Sequence, residues 1–492
     1  MSIDQGTTGS TVSIVDQGGS LVASSDRDFK QIFPKPGWVE HNPDDIWSSV
    51  EVSALEAIKK AQITTADIHA VGITNQRETV IAWRKSNSQV LHNAIVWQCR
   101  RTSDLCQKLK PKWALKIKNK TGLVLDPYFS GSKMRWMIEN VPAVKKALLD
   151  QDLAFGTIDT YLMWKISGGQ VFATDVSNAS RTMLMNLKTL QWDTELLKLF
   201  KVPNTALPEI KASAGSFGFA KNTAWTSDKT MIAGVAGDQQ AALFGQACFT
   251  EGEAKCTFGT GSFILLNTGN KILKSKAKML STVAWKIGNQ KTVYALEGGA
   301  FICGAAVQWL RDGLGIIQSS AEVERLALEV PDTNGVEFVP ALTGLGAPHW
   351  QPDARGEITG ITRGVKKAHI ARATLEAMAL QNADILIAMQ KDLGKKLKSI
   401  KVDGGASQNN LLMQMQSNYL QTQVVRPQMI ETTSLGAAYL AGIGSGIWKS
   451  TEEIKNIWKK DRHFEPELKS KDVANRFKSW NRAIAKAKAK II

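Results

Sequence analysis

The chain has 492 residues, more than one hydrophobic core usually serves, so two large domains are the first expectation. Its 43% hydrophobic and 22% charged residues and mean hydropathy of −0.16 are those of an ordinary globular protein, and no apolar run approaches a membrane span. The net charge of +16 lies in lysines spread over 108–120, 391–401 and 455–490 without an aromatic-interleaved basic motif, which argues against nucleic acid and leaves a basic surface that attracts nucleotides and phosphate esters.

The first element is short. Met1-Ser2-Ile3 reads as a strand of three residues, about 10 Å, where five or six is usual. From this we expect the sequence as given to begin several residues downstream of the native start, with the first strand truncated. Asp4-Gln5-Gly6-Thr7-Thr8-Gly9-Ser10 is a tight polar loop of the phosphate-holding kind, followed by a β-branched strand Ser10 to Val15 and a turn at Asp16-Gln17-Gly18-Gly19. Gly6 lets backbone come close to a phosphate, Thr7 and Thr8 add hydroxyl donors, and Asp4 at the lip suits a metal.

An amphipathic helix is predicted over Asp44 to Lys60 and apolar strands over Ala70 to Thr74 and Asn93 to Trp97, with a second helix over Thr102 to Leu109. Asn75-Gln76-Arg77-Glu78-Thr79 follows the first of these strands. Its adjacent cation and anion can bracket a neutral polyol, one donating and one accepting; a surface pair in a turn is the plain alternative. Further on, Asp238 follows a small apolar strand and starts an Ala-rich helix, where it is either a catalytic carboxylate or a structural N-cap.

A related pattern opens the second half. Phe258-Gly259-Thr260-Gly261-Ser262 leads into Phe263-Ile264-Leu265-Leu266 and a turn at Asn267-Thr268-Gly269, again a strand, a Gly-Thr loop and a strand. Two such units, each near the start of a half-chain, suggest duplicated α/β domains facing across a cleft. The second series runs from Cys256 to about Ile447. Within it, Val402-Asp403-Gly404-Gly405 enters an amphipathic helix whose N-terminus suits a nucleotide, or is a capped turn served by Ser407. The tail Ala483 to Ile492 reads as a solvated cationic helix.

Several chemistries are unsupported. There is no G-x-x-x-x-G-K-[ST] and no H-E-x-x-H, and the Gly-rich stretches GTGSFI and GIGSG lack the third glycine of a dinucleotide fingerprint. Five cysteines with no C-x-x-C suit structural thiols in a reduced cytoplasm.

In order along the chain, DQGTT, FPKPGWVEHNPDDIW, GITNQRET, AIVWQCRRT, TGLVLDPYFSGSK, SNASRTML, GVAGDQQAALFGQ, FGTGSF, ALEGGAFICGAAVQWLRD, LTGLGAPHWQPDARG and VDGGASQNNLLMQMQS resemble the FGGY carbohydrate kinases of the actin/hexokinase-like superfamily, in their glycerol-phosphorylating branch. The resemblance covers about nine-tenths of the chain. It implies an α/β fold of two actin-like (ribonuclease H-like) domains across a catalytic cleft, 1–246 and 247–492, a dimer or tetramer, and ATP-dependent conversion of glycerol to sn-glycerol 3-phosphate.

The resemblance also implies roles. Arg77, Glu78, Tyr128, Asp238 and Gln239 would bind glycerol, with Trp97 and Phe263 on its carbon backbone, and Asp238 would be the general base. Asp4 and Asp238 would serve Mg²⁺. Thr7, Thr8, Gly9, Gly259 and Thr260 would meet the ATP or ADP phosphates, Gly304 and Gln308 the ribose, and Gly405 and Asn409 the adenine. Two departures stand out. The first loop continues Gly9-Ser10-Thr11, where the family often has serines and an arginine. The stretch Gly218 to Thr226 lacks a glycine-rich loop with arginine and 211–230 has no histidine, so we expect neither fructose 1,6-bisphosphate inhibition nor a histidine-phosphorylation switch.

Overall fold

The structure is a computed structural model that describes residues 1–221, 223–351 and 353–489. Asn222 of the Gly218 to Thr226 stretch, Pro352 of the LTGLGAPHWQPDARG motif and the last three residues of the cationic tail lie outside the described residues.

Two large mixed sheets carry the molecule, and their wiring repeats. In the first, the meander Ser2–Gln5, Gly9–Val15 and Leu21–Asp28 is antiparallel; Ala70–Asn75 then adds parallel to Ser2–Gln5, and Met231–Gly237 parallel to Ala70–Asn75. In the second, Ala254–Phe258, Ser262–Gly269 and Val293–Ala300 form the meander; Ser399–Asp403 and Gln423–Pro427 add in parallel. Each sheet carries antiparallel edge strands beyond this common core. The duplication expected from two Gly-Thr loops is therefore a duplication of sheet order, with each loop at the tip of its first hairpin.

The brevity of the first strand does not leave it loose. Ser2 to Gln5 pair on one side with Ser13 to Ser10 and on the other with Gly72 to Asn75. Ile3 is fully buried, and the Met1 amine donates to the Ala70 carbonyl at 3.0 Å. Both neighbours hold the strand that sets Asp4.

The helix Thr432–Gly444, although late in the chain, lies on the first sheet and on the helix Asp238–Gly245. The approach is backbone to backbone. A Cβ on Gly72 would stand 2.1 Å from the Ala437 carbonyl oxygen, and one on Gly436 only 1.8 Å from that of Ala241. Small residues are required where main chains touch. A further sheet (Gln31–Ile32, Glu40–His41, Val90–Ile95, Val80–Arg84, Leu153–Gly156) adjoins the first and carries Trp97 beyond its edge.

Some elements differ from the sequence expectation. The helix expected to stop at Leu109 runs Ser103–Thr121, straight through Pro111. That proline is exposed, so the carbonyl left without its helical donor can reach water. The strand expected to turn at Asn267 continues to Gly269, held by Val293–Ala300 through a register shift. All five cysteines are free and buried, and burial pushes the Cys106 thiol up to about 11 and Cys248 and Cys303 to about 12. Among the described residues no helix is long and apolar enough to cross a membrane.

Candidate functional site

The first loop is closed by the Gly6 amide donating to the Gly9 carbonyl at 2.8 Å. The second is closed the same way, Gly259 to Gly261 at 3.0 Å. Gly9 is confined, since a Cβ there would stand 2.7 Å from an Asp28 carboxylate oxygen. Beneath the first loop, the Gln76 side-chain amide donates to Gln5 Oε1 and to the Gly6 carbonyl, both at 3.0 Å. His41 bonds Gln31 through Nε2 at 2.7 Å, and Gln31 Nε2 donates to the Thr7 carbonyl at 3.0 Å. Burial holds His41 down at about 4, so the ring is neutral. These bonds fix the loop while leaving Thr8 exposed.

The second loop leans on the helix Gly304–Asp312. The amides of Cys303 and Ala305 donate to the Thr260 carbonyl at 2.8 and 3.1 Å, and that of Gly304 to the Gly259 carbonyl at 2.9 Å. Gln308 is exposed one turn along that helix. Gly404, at φ +82°, turns the chain from Ser399–Asp403 into a short 3-10 helix that contains Gly405. The helix Asn410–Leu420 is capped by Asn409, whose Oδ1 accepts from the Leu412 amide at 2.8 Å. Ser407 is not the cap; its hydroxyl donates to the Gly404 carbonyl instead.

Arg77 and Glu78 are not a surface pair. Their side chains are 2% and 1% exposed, and Glu78 holds φ +64°, a conformation that costs a non-glycine residue about 1 to 3 kcal/mol and marks functional sites. Arg77 Nε forms an ion pair with Asp238 Oδ1 at 2.9 Å. Asp238 is the first helical residue rather than the cap, a place Gly237 takes, and its Oδ1 also accepts the Gln239 amide at 2.6 Å. The other carboxylate oxygen of Asp238 is left to a ligand, and the side chain is one-third exposed. Asp4 stands in the field of Asp238. Burial, then the Asp238 and Glu431 carboxylates, push its carboxyl up to about 7.

The apolar wall also assembles. Trp97 and Tyr128 meet edge to face with centroids 5.5 Å apart, and the Trp97 indole N–H donates to Thr7 Oγ1 at 3.0 Å, tying the wall to the first loop. Phe263 stands opposite Gly299 in the second sheet, on the face that also carries Glu297.

Sequence reasoning missed several members of this site. Glu297 takes Arg77 Nη1 at 2.5 Å, and Arg181 donates to Glu78 at 2.6 Å and to Glu297 at 2.9 Å. Burial works to raise the Glu297 carboxyl, but Arg181 and Arg77 outweigh it and hold it at about 2. Lys255, fully buried, donates to Gln239 Oε1 and to Thr257 Oγ1, which turns the Gln239 NH₂ outward. The available signal was a charged residue inside an otherwise apolar strand, as in AKCTF and VYALEGGA.

The N-terminal domain of the FGGY family of carbohydrate kinases matches residues 1–245, and its C-terminal domain matches 254–445. The chain belongs to that family. Among similar FGGY kinases, the glycerol kinase of Bdellovibrio bacteriovorus is 60% identical over 486 residues, covering 98% of each chain. That of Dichelobacter nodosus is 52% identical over 487 residues, covering 99% of this chain and 98% of the relative. A crystal structure of Plasmodium falciparum glycerol kinase with ADP superposes with a TM-score of 0.94 at 37% identity, covering 99% of this chain and 98% of that one.

Proposed function

We propose that this FGGY kinase phosphorylates glycerol with ATP, giving sn-glycerol 3-phosphate and ADP, in a cleft between a domain of residues 1–246 and one of 247–492. The observation that carries the reading is the buried Arg77–Glu78 pair beside a carboxylate with one oxygen free. A neutral polyol asks for a donor, an acceptor and an apolar wall, and these are Arg77, Glu78, and Trp97 with Tyr128 and Phe263. Gln239 adds a donor through its NH₂.

In the transfer, the free oxygen of Asp238 accepts the proton of a terminal hydroxyl as that oxygen bonds to the γ-phosphorus and the bond to ADP breaks. Thr7, Thr8 and Thr260 donate to phosphate oxygens, with Gly9 and Gly259 letting backbone come close. Gly304 and Gln308 take the ribose; Gly405 and Asn409 take the adenine. Asp4, which stands in the field of Asp238, would hold Mg²⁺ with it, since that ion takes one or two carboxylates and completes its shell with water and phosphate oxygens. When bound, that ion screens phosphate charge.

The reading includes a cytoplasmic setting, supported by five free buried thiols, and a homodimer or homotetramer, supported by the family likeness and sized by sedimentation. The deciding experiment is glycerol-dependent ADP release by the purified protein, with erythritol, dihydroxyacetone and xylulose in parallel. No release with glycerol, or a clear preference for xylulose, overturns it.

A further inference from the structure

Two buried charged groups that the transfer itself does not use stand against the acceptor residues. Arg181 follows the short helix Val176–Ala179 and is fully buried; Glu297 comes from the strand Val293–Ala300 of the second sheet and is 3% exposed. We propose that Glu297 and Arg181 are positioning residues that fix which atoms of Arg77 and Glu78 are offered to the acceptor polyol. The inference rests on the glycerol reading above.

Counting the N–H groups makes the case. Arg77 has five. Its Nε faces Asp238 in an ion pair, while Nη1 donates to Glu297 Oε2 at 2.5 Å and Gln240 Oε1 at 3.2 Å, and Nη2 to Glu297 Oε1 at 3.2 Å. One N–H, on Nη2, is left for a ligand. Glu78 gives Oε1 to Arg181 Nε at 2.6 Å and keeps Oε2. The pair therefore presents one donor and one acceptor, and Glu297 and Arg181 decide which.

Glu297 also solves a charge problem. Its Oε1 accepts from Arg77 and Arg181 at 3.2 and 2.9 Å, so two guanidiniums share one carboxylate inside the protein. Without that charge they repel, and each turns further onto its remaining carboxylate, Asp238 for Arg77 and Glu78 for Arg181. Arg181 lies in addition over the rings of Tyr128 and Phe129, at 5.8 and 5.3 Å, so its displacement reaches the apolar wall. Three residues of the acceptor pocket thus depend on two that need never touch glycerol.

The test uses full-length Glu297→Gln, Glu297→Asp and Arg181→Lys, with kcat, KM for glycerol, KM for ATP and Tm measured for each. Glutamine keeps the shape and loses the charge; aspartate keeps the charge on a shorter stem. We expect Glu297→Gln to lose about 100-fold in kcat/KM for glycerol with KM for ATP changed less than about threefold. Glu297→Asp should recover at least about tenfold of that loss, and Arg181→Lys should fall about tenfold in the same constant. The proposal is overturned if Glu297→Gln stays within about threefold of wild type, since charge-assisted bonds are worth more than that. It is equally overturned if the loss falls alike on glycerol and ATP and aspartate does no better than glutamine. Should Glu297→Gln not fold, Arg181→Lys decides by the same glycerol-against-ATP split. Wild-type enzyme that turns over another polyol but not glycerol removes the glycerol reading alone, and the variants are then compared on that polyol.

Discussion

Replacing Gly436 by alanine should injure catalysis through a main-chain contact between two helices. The added methyl would stand 1.8 Å from the Ala241 carbonyl oxygen and 2.5 Å from its carbon. Ordinary contact begins near 3.4 Å, so the helices Thr432–Gly444 and Asp238–Gly245 must part locally by about 1.6 Å. Both sides of the contact are backbone, so no rotamer change relieves it, and the cost falls toward the upper end of the overpacking range, about 3 kcal/mol. The displaced helix begins at Asp238. A shift of about 1 Å at the base is enough to cost roughly 100-fold in turnover. The expected result is a Tm lowered by several degrees and kcat down by about that factor, with soluble, folded protein by circular dichroism. Wild-type Tm and kcat in Gly436→Ala would show that the helices are not in main-chain contact and refute the reasoning.

Other outcomes follow from single contacts. Asp238→Asn should lower kcat by about 10³-fold while calorimetric glycerol affinity holds, because Arg77, Glu78 and Trp97 remain; a near-normal rate removes Asp238 as base. Trp97→Phe keeps a ring but loses the N–H bond to Thr7, worth about 1 kcal/mol, so KM should rise roughly fivefold for glycerol and for ATP alike; an unchanged KM for ATP separates the wall from the loop. Burial holds His41 at about 4 against an ordinary 6.5, so the unfolded chain takes up the proton first. The stability tied to the neutral ring is intact above pH 6.5 and lost as pH falls to 4, about 3 kcal/mol in all. Urea unfolding of wild type and His41→Gln from pH 7 to 4.5 should show wild type losing stability relative to the variant; a constant gap contradicts it.

What the sequence made legible was local. A Gly-Thr loop between β-branched runs needs few residues to be recognised, and both loops stand where expected, at hairpins closed by one backbone bond each. Asp238 was visible because a small apolar strand and an Ala-rich helix flank it. Its exact place in the turn was not, since Gly237 rather than Asp238 holds the N-cap conformation. The same limit applies to Ser407 and Asn409, two residues of cap-forming type close together, of which the 3-10 turn at Gly405–Gln408 leaves Asn409 as the cap. The partners of Arg77 were out of reach for a different reason. Glu297 is 220 positions away, and Arg181 meets Glu78 across 103. No periodicity records such pairings; only the oddity of a glutamate in a buried strand hints at them. The helix Thr432–Gly444 likewise reads as part of the second half, and nothing in its composition says that it lies on the first sheet.

The acceptor pocket is best understood by its charges. Arg77, Arg181 and Lys255 face Glu78, Glu297 and Asp238, three cations against three anions, and five of the six are buried. Taking that many charges out of water is expensive, and apolar side chains of equal volume generally give a more stable interior. The arrangement is therefore poorly explained by stability. Its organisation is better explained by proton transfer. Of these groups only Asp238 is substantially exposed, with one oxygen tied to Arg77 and the Gln239 amide. On the proposed reading, a proton arriving from a substrate hydroxyl meets one open oxygen, backed by a rigid guanidinium that cannot itself accept it. Glu78 differs in burial: its side chain is 1% exposed, with Oε1 held by Arg181 and the backbone at φ +64°. On the same proposed reading, two carboxylates of similar chemistry take different tasks, one to bind the polyol and one to deprotonate it, with the glutamate supplied by the second half of the chain holding both arginines in place.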